Sequence, residues 1–355
     1  MNKHLSVKFK IISFVLMIMV VFIHSHNIGK NLLAGNTVLK EGYSSFIQDF
    51  FSDGITLVAV PLFFIISGYL FFLGFNGTIK EFIYKYNKRL KTLVVPYLFW
   101  SIGVLLLFYV LQFLPEFKTF FGSKLIKDYS LNEFLIKIFI TPIPLQLWFL
   151  RDLILLTLLS PVIYWLIRNI RILFLLILFF VWFFDLNYIV LESSSLLFFI
   201  FGASLSIKKS NILLIDFSKR YYIYAFLWLA LVLSKSILLY QDYGHDLLFR
   251  VIDKSGILVG VLAVWSVYDF LFKNKDLSNH KFYEISSFSF FLYAFHIPIL
   301  SVIRRGFFTI MGKGELASLF IYFAVPFVTI SIGLFLGFRL RSYTPRFYGV
   351  ITGNR

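Results

Sequence analysis

The chain has no cysteine, which excludes disulfide frameworks and thiolate-held metal centres. Charge is also scarce. Only 15% of the 355 residues are charged, whereas a soluble domain of this size needs roughly a quarter to maintain a water-facing surface. Acidic side chains are the scarcest, 18 Asp plus Glu against 34 Lys plus Arg, for a net charge of +16. No Gly-rich phosphate loop, H-E-x-x-H or G-x-S-x-G is present, so the familiar soluble catalytic signatures do not apply. Neither an internal repeat nor a flexible linker interrupts the chain, and residues 1–355 read as one domain. The first apolar run is not followed by a small-residue cleavage site. It ends in His24-Ser25-His26-Asn27 and reads as a retained helix rather than a signal peptide.

Apolar residues, by contrast, make up 59% of the chain, more than a buried core can absorb, and the excess must face lipid. About twenty apolar residues span a bilayer as a helix. That rule predicts an all-α polytopic membrane bundle of about ten helices, near 11–28, 55–75, 93–113, 148–167, 172–186, 194–207, 221–239, 255–272, 283–303 and 316–338. Between the third and fourth lies the longest loop, 115–147, with Pro115, Pro142 and Pro144, and an interfacial helix is expected around Asn132–Ile140. Basic residues concentrate on the cytoplasmic side of a membrane protein. With both termini placed there, the inner segments hold 21 of the 34 basic residues and 5 of the 18 acidic ones. The excess positive charge therefore reads as membrane orientation, not as a nucleic-acid surface. Arg304, Arg305 and Lys313 are the local exception, falling outside in this scheme.

An ionisable side chain at bilayer mid-depth costs about 2.5–3.5 kcal/mol on insertion scales, so the polar residues that interrupt apolar runs carry the information. His24 closes the first run; it reads either as an imidazole placed to exchange a proton near neutral pH or as an interfacial histidine. His296 lies deeper in the ninth run beside Pro298. It reads either as a site-lining residue or as a structural histidine bonding a carbonyl that proline has freed. Lys85, Lys88, Arg89 and Lys91 crowd the start of the third run, as a positive-inside anchor or as a phosphate-binding site. Ser67-Gly68 permits close helix approach, and Trp148 with Arg151-Asp152 is explained by an aromatic belt and an ion pair.

Taken in order, five segments resemble the membrane acyltransferase-3 family, multispan O-acyltransferases of surface sugars. They are Val20-Val-Phe-Ile-His24, Pro61-Leu-Phe-Phe-Ile-Ile-Ser67-Gly68-Tyr69-Leu70, Lys88-Arg89-Leu-Lys91-Thr92-Leu-Val-Val-Pro96-Tyr97, Leu147-Trp148-Phe-Leu150 and Ser289-Phe-Phe-Leu-Tyr293-Ala-Phe-His296-Ile-Pro298. The resemblance implies an enzyme of the cytoplasmic (inner) membrane of a bacterium. It would move an acyl group, acetyl by default, from cytoplasmic acetyl-CoA or another acyl-CoA to a hydroxyl of a cell-surface polysaccharide or glycolipid. His24 occupies the family's catalytic histidine position, Lys88, Arg89 and Lys91 would bind the donor, and Ser67, Trp148, Tyr293 and His296 would line the site. No metal or tightly bound cofactor is expected. Two departures stand out: Thr92 replaces the family's second arginine, and Ile11 and Ile12 stand where the family usually carries a first-helix arginine, with Lys10 the nearest cation. The rival reading is a transporter or flippase for a lipid-linked sugar or small solute. Many transporters carry two related halves, which are not found here.

Overall fold

A computed structural model describes the chain except residues 1–2, 29–30, 34–35, 38–41, 115–123, 187–189, 243–246, 273–274, 276, 278–279 and 355. The apolar runs fold as helices because a backbone in hydrocarbon must satisfy its own hydrogen bonds. Helix α1 (Lys3–Ser25) stands at the centre and touches α3 (Ala59–Phe72), α13 (Ser289–Met311) and α14 (Glu315–Tyr343). Around it α3 packs on α9 (Ser193–Ile207), α10 (Tyr221–Tyr240) on α11 (Leu247–Phe272), and α13 on α14. A two-stranded pairing of Asn31–Leu33 with Asn36–Thr37 follows α1. Phe226, Phe327 and Phe335 are exposed on the outside of the bundle, as lipid-facing side chains should be.

Among the described residues, seven helical segments are long and apolar enough to cross a membrane. They are Lys3–Ser25, Gly42–Phe72, Ile79–Leu111, Ser160–Phe183, Ser218–Tyr240, Lys281–Met311 and Glu315–Tyr343. The second is composite: α2 (Gly42–Gln48) passes through a π-helical turn at Asp49–Gly54 and a 3-10 turn at Ile55–Val58 before becoming α3. The third joins α4 (Ile79–Arg89) to α5 (Val95–Leu111) through another π turn, Leu90–Val94. Pro96 explains it, since it has no N–H to give the Thr92 carbonyl. Val95 N–H instead reaches back five residues to the Leu90 carbonyl.

The region expected as helices 148–167 and 172–186 divides differently. Helix α7 (Trp148–Leu158) ends before Ser160-Pro161, because Pro161 cannot bond the Thr157 carbonyl in a continuous helix. Helix α8 (Ser160–Phe183) then runs through the expected loop, although its backbone leaves helical geometry at Ile170 (φ −132°, ψ 36°). The expected segment 194–207 is α9, only 15 residues long, and 255–272 is the second part of α11. Helix α6 (Leu131–Phe139) coincides with the expected interfacial helix and opens on a capping box between Ser130 and Glu133. Pro115 lies outside the described residues.

Close packing of α3 on α9 depends on two glycines. A Cβ added at Gly68 would stand 2.0 Å from the Phe199 carbonyl oxygen, and one at Gly202 would stand 2.0 Å from that of Ile65. Backbone meets backbone at both points, the use of small residues that membrane helices favour. Because neither carbonyl can move aside without its helix, Gly202→Ala should destabilise the fold by about 1–3 kcal/mol, the usual cost of overpacking. A lowered thermal midpoint of the purified protein in detergent checks this; an unchanged midpoint would show that the helices part easily.

Candidate functional site

Five residues of α1, Lys10, Ser13, Met17, Val20 and His24, recur at alternating spacings of three and four and so share one stripe of the helix. Val60, Phe63, Ser67 and Leu70 make a matching stripe on α3. Both stripes border one cavity of about 520 Å³. Arg89, at the end of α4, lines the same space, as do Gln146, Trp148, Phe149 and Tyr293. Lys10 and His24 are fourteen residues apart on one helix, roughly 21 Å at helical rise. The cavity thus runs along α1 from two cations to an imidazole.

At the cationic end, the Arg89 guanidinium stands 5.5 Å from the Phe71 ring, and the Lys10 ammonium lies 3.6 Å over the Tyr283 ring. Aromatic faces attract cations and hold them in place while leaving their N–H donors available. Ser286, Ser287 and Ser289, at the start of α13, add hydroxyls. Lys88 and Lys91 do not join Arg89: both are exposed and neither lines the cavity. The structure puts Lys10, noted in the sequence only as the nearest cation, where those two had been expected. Its signal was the shared stripe with His24.

At the other end, the His24 ring lies 5.3 Å from the His296 ring. His296 is buried and does not line the cavity. Its Nδ1 faces two carbonyl oxygens, Tyr293 at 2.7 Å and Leu292 at 3.1 Å. Carbonyls only accept, so Nδ1 carries the proton and donates it there, leaving Nε2 as an acceptor. Nε2 has no hydrogen-bond partner among the described residues.

Pro298 deprives the Ala294 carbonyl of its helical donor, and Gln146 Nε2 donates to that carbonyl at 3.0 Å. The freed carbonyl is therefore satisfied by Gln146, not by His296. The Tyr293 hydroxyl donates to the Gln146 carbonyl, which fixes this pair, and Gln146 Oε1 is left buried without a partner among the described residues. Gln146 carried no motif in the sequence; its only signal was proximity to Trp148. Trp148 itself lines the cavity instead of sitting in an outer belt. Arg151 and Asp152 do pair, at 2.9 Å, and Asp152 also accepts from the Ser195 hydroxyl and the Glu192 N–H.

The turn that carries His24 is held from several sides. Arg304 donates to the carbonyls of His24 (3.0 Å) and His26 (3.4 Å), a cation at a helix C-terminus where the dipole favours one. That explains one of the three basic residues that broke the inside-positive pattern. Ser25 donates to the Tyr322 carbonyl at 2.9 Å, which Pro326 has freed, and Asn27 joins Gln48 and Ser318 in a buried hydrogen-bonded group. An imidazole at the end of a largely apolar passage, with basic groups at the far end, suits proton exchange with an anionic ligand whose reactive arm is thin and uncharged.

The family model described as an acyltransferase domain matches residues 11–339 of this chain. Over its full length the chain is 26% identical to the succinoglycan biosynthesis protein ExoH of Rhizobium meliloti (strain 1021), covering 94% of that protein. No solved structure matches it.

Because the natural chain has no cysteine, single thiols can report on the passage directly. Ser13→Cys and Ser67→Cys should react with a small water-soluble methanethiosulfonate reagent, and Ser266→Cys, in the packed core, should not. Equal protection of all three, read by mass spectrometry, would mean that no hydrated passage exists.

Proposed function

The chain belongs to the membrane acyltransferase-3 family, and from that membership we propose that it transfers an acyl group, acetyl by default, from cytoplasmic acyl-CoA to a hydroxyl of a surface polysaccharide or glycolipid. The observation that carries this reading is that His24, Lys10 and Arg89 border a single cavity. The relative named for succinoglycan biosynthesis supports a polysaccharide acceptor. The donor assignment rests on charge: coenzyme A carries phosphates, and guanidinium and ammonium groups at a cavity mouth suit them. The proposed setting is a bacterial inner membrane crossed about ten times, with both termini cytoplasmic. The excess of basic residues on the side of Lys10 and Arg89 supports that orientation.

In this reading the donor phosphates dock on Arg89 and Lys10, and the pantetheine arm enters between the stripes of α1 and α3. An arm of that kind reaches about half of the ~30 Å hydrocarbon core, so a cavity already open inside the bundle removes most of the distance problem. Gln146 Oε1 is available to accept from an amide N–H of the arm. The His24 imidazole takes the proton of the acceptor hydroxyl as its oxygen attacks the thioester carbonyl. The C–S bond breaks, the new ester C–O bond remains, and the departing thiolate takes the proton from the imidazolium. His296, with its Nδ1 proton committed to backbone, supplies a neutral neighbour that does not repel that imidazolium.

His24→Ala should lower transfer of labelled acetyl from acetyl-CoA to an oligosaccharide by about 100- to 10,000-fold, the usual value of a general base, with membrane insertion intact. Wild-type rates in that variant would remove the catalytic assignment. Arg89→Ala should raise the donor concentration for half-maximal rate by roughly tenfold, one lost charge-assisted contact, whereas Lys88→Ala and Lys91→Ala should change it little. The reverse ranking would move the donor site to the exposed face of α4.

A further inference from the structure

Two residues beyond His24, His26 borders a second cavity of about 370 Å³, with Asp49, Asp53, Lys235, Leu239 and Phe249. It lies at the opposite end of α1 from Lys10 and Arg89. The π turn Asp49–Gly54 carries both carboxylates, four residues apart, toward His26. His26 Nε2 is 2.9 Å from Asp49 Oδ1 and 3.8 Å from Asp53 Oδ2. Asp49 is buried, and the Ser45 hydroxyl donates to its second oxygen at 3.4 Å. The Asp53 side chain is half exposed. The single ammonium among the described lining residues is engaged elsewhere: Lys235 donates to the Asp253 carboxylate and the Asp53 backbone carbonyl. Among the described residues, the two carboxylates therefore face the space with the His26 imidazole as their partner and no lysine or arginine of their own.

On the basis of the acyltransferase reading above, we infer that this cavity is an acceptor subsite, holding an uncharged sugar residue next to the one that is acylated. Its hydroxyls donate to Asp53 and Asp49, and the apolar side chains of Phe249 and Leu239 cover a face of the ring. The two ends of the bundle are thereby opposite in charge preference. The cationic end suits the phosphates of the donor, while the carboxylates here repel anions and disfavour a uronic acid in the subsite. Asp49 and Ser45 fix the His26 imidazole in advance, so little ordering is needed when the sugar enters. The subsite also fits an acceptor that is a chain rather than a free sugar, since it holds one ring while a neighbouring ring offers its hydroxyl toward His24.

The test uses full-length protein in nanodiscs and two fluorescent probes of equal length, a neutral gluco-oligosaccharide and an oligouronate. The neutral probe should bind more tightly than the oligouronate. Asp53→Asn should weaken binding of the neutral probe by roughly tenfold, one charge-assisted hydrogen bond, and leave the donor concentration dependence unchanged. His26→Gln provides a second variant whose loss of binding should match. His24→Ala should still bind the probe while losing transfer, which separates this site from the catalytic assignment; in the wild type, probe binding with no acyl transfer would sink the function and keep the subsite. Equal binding of the neutral probe by wild type and Asp53→Asn would overturn the subsite while leaving the function standing. Stoichiometric uptake of Mn²⁺ or Zn²⁺, lost in His26→Gln, or abolition of probe binding by a chelator would also overturn it, because His26, Asp49 and Asp53 lie close enough together to ligate a cation.

Discussion

Hydrocarbon offers a polar group no partner, and this structure is organised around that constraint. A backbone carbonyl freed within a bilayer costs several kcal/mol unless something donates to it. Pro298 and Pro326 each free one, and each is answered by a side chain from a distant part of the chain: Gln146 to the Ala294 carbonyl and Ser25 to that of Tyr322. These two bonds secure α13 to the start of α7 and α1 to α14. Both lie close to the His24–His296 pair in sequence, on the residue after His24 and two residues before His296. The repair of broken helices and the positioning of the candidate site are thus the same set of contacts.

The same constraint governs the buried charges. Lys8 pairs with Asp269 at 2.6 Å and lies 3.7 Å over the Trp265 ring, joining α1 to α11. Lys254 bonds Asp185, and Lys235 bonds Asp253. Removing one member of such a pair strands the other in a low-dielectric interior. Arg89 and Lys10 differ in kind: each lies against an aromatic face, Phe71 and Tyr283, and both side chains border the cavity.

Much of this was legible in the sequence because lipid imposes a simple code. Long apolar runs, the interfacial helix expected around Asn132–Ile140 and the placement of His24 near the end of a first helix all follow from run length and from where charge and proline interrupt it. The divisions within 148–186 were less legible, since an apolar run continues through Pro161 and Ile170 and run length alone cannot distinguish a kink from a loop. At the cationic end, sequence adjacency suggested Lys88, Arg89 and Lys91 as a unit. On a helix neighbours point apart, so one of the three enters the cavity and a lysine from another helix completes the end. Gln146 was hidden for a different reason. Its value lies in a carbonyl 148 residues away, and no local pattern announces such a pairing. His26 and the two aspartates were in plain view, but only the π turn brings them together.

The π turn before α5 has a consequence for how such chains can vary in length. A π turn holds one more residue than the α turn it replaces and turns less per residue, so the extra residue is absorbed within the joint and the helices on either side keep their facing. Pro96 lacks an N–H whatever the residue count, and the Leu90 carbonyl takes the Val95 N–H instead. A change of one residue at this joint therefore leaves Arg89 directed at the passage, whereas the same change inside the α-helical part beside it would rotate the guanidinium by about 100°.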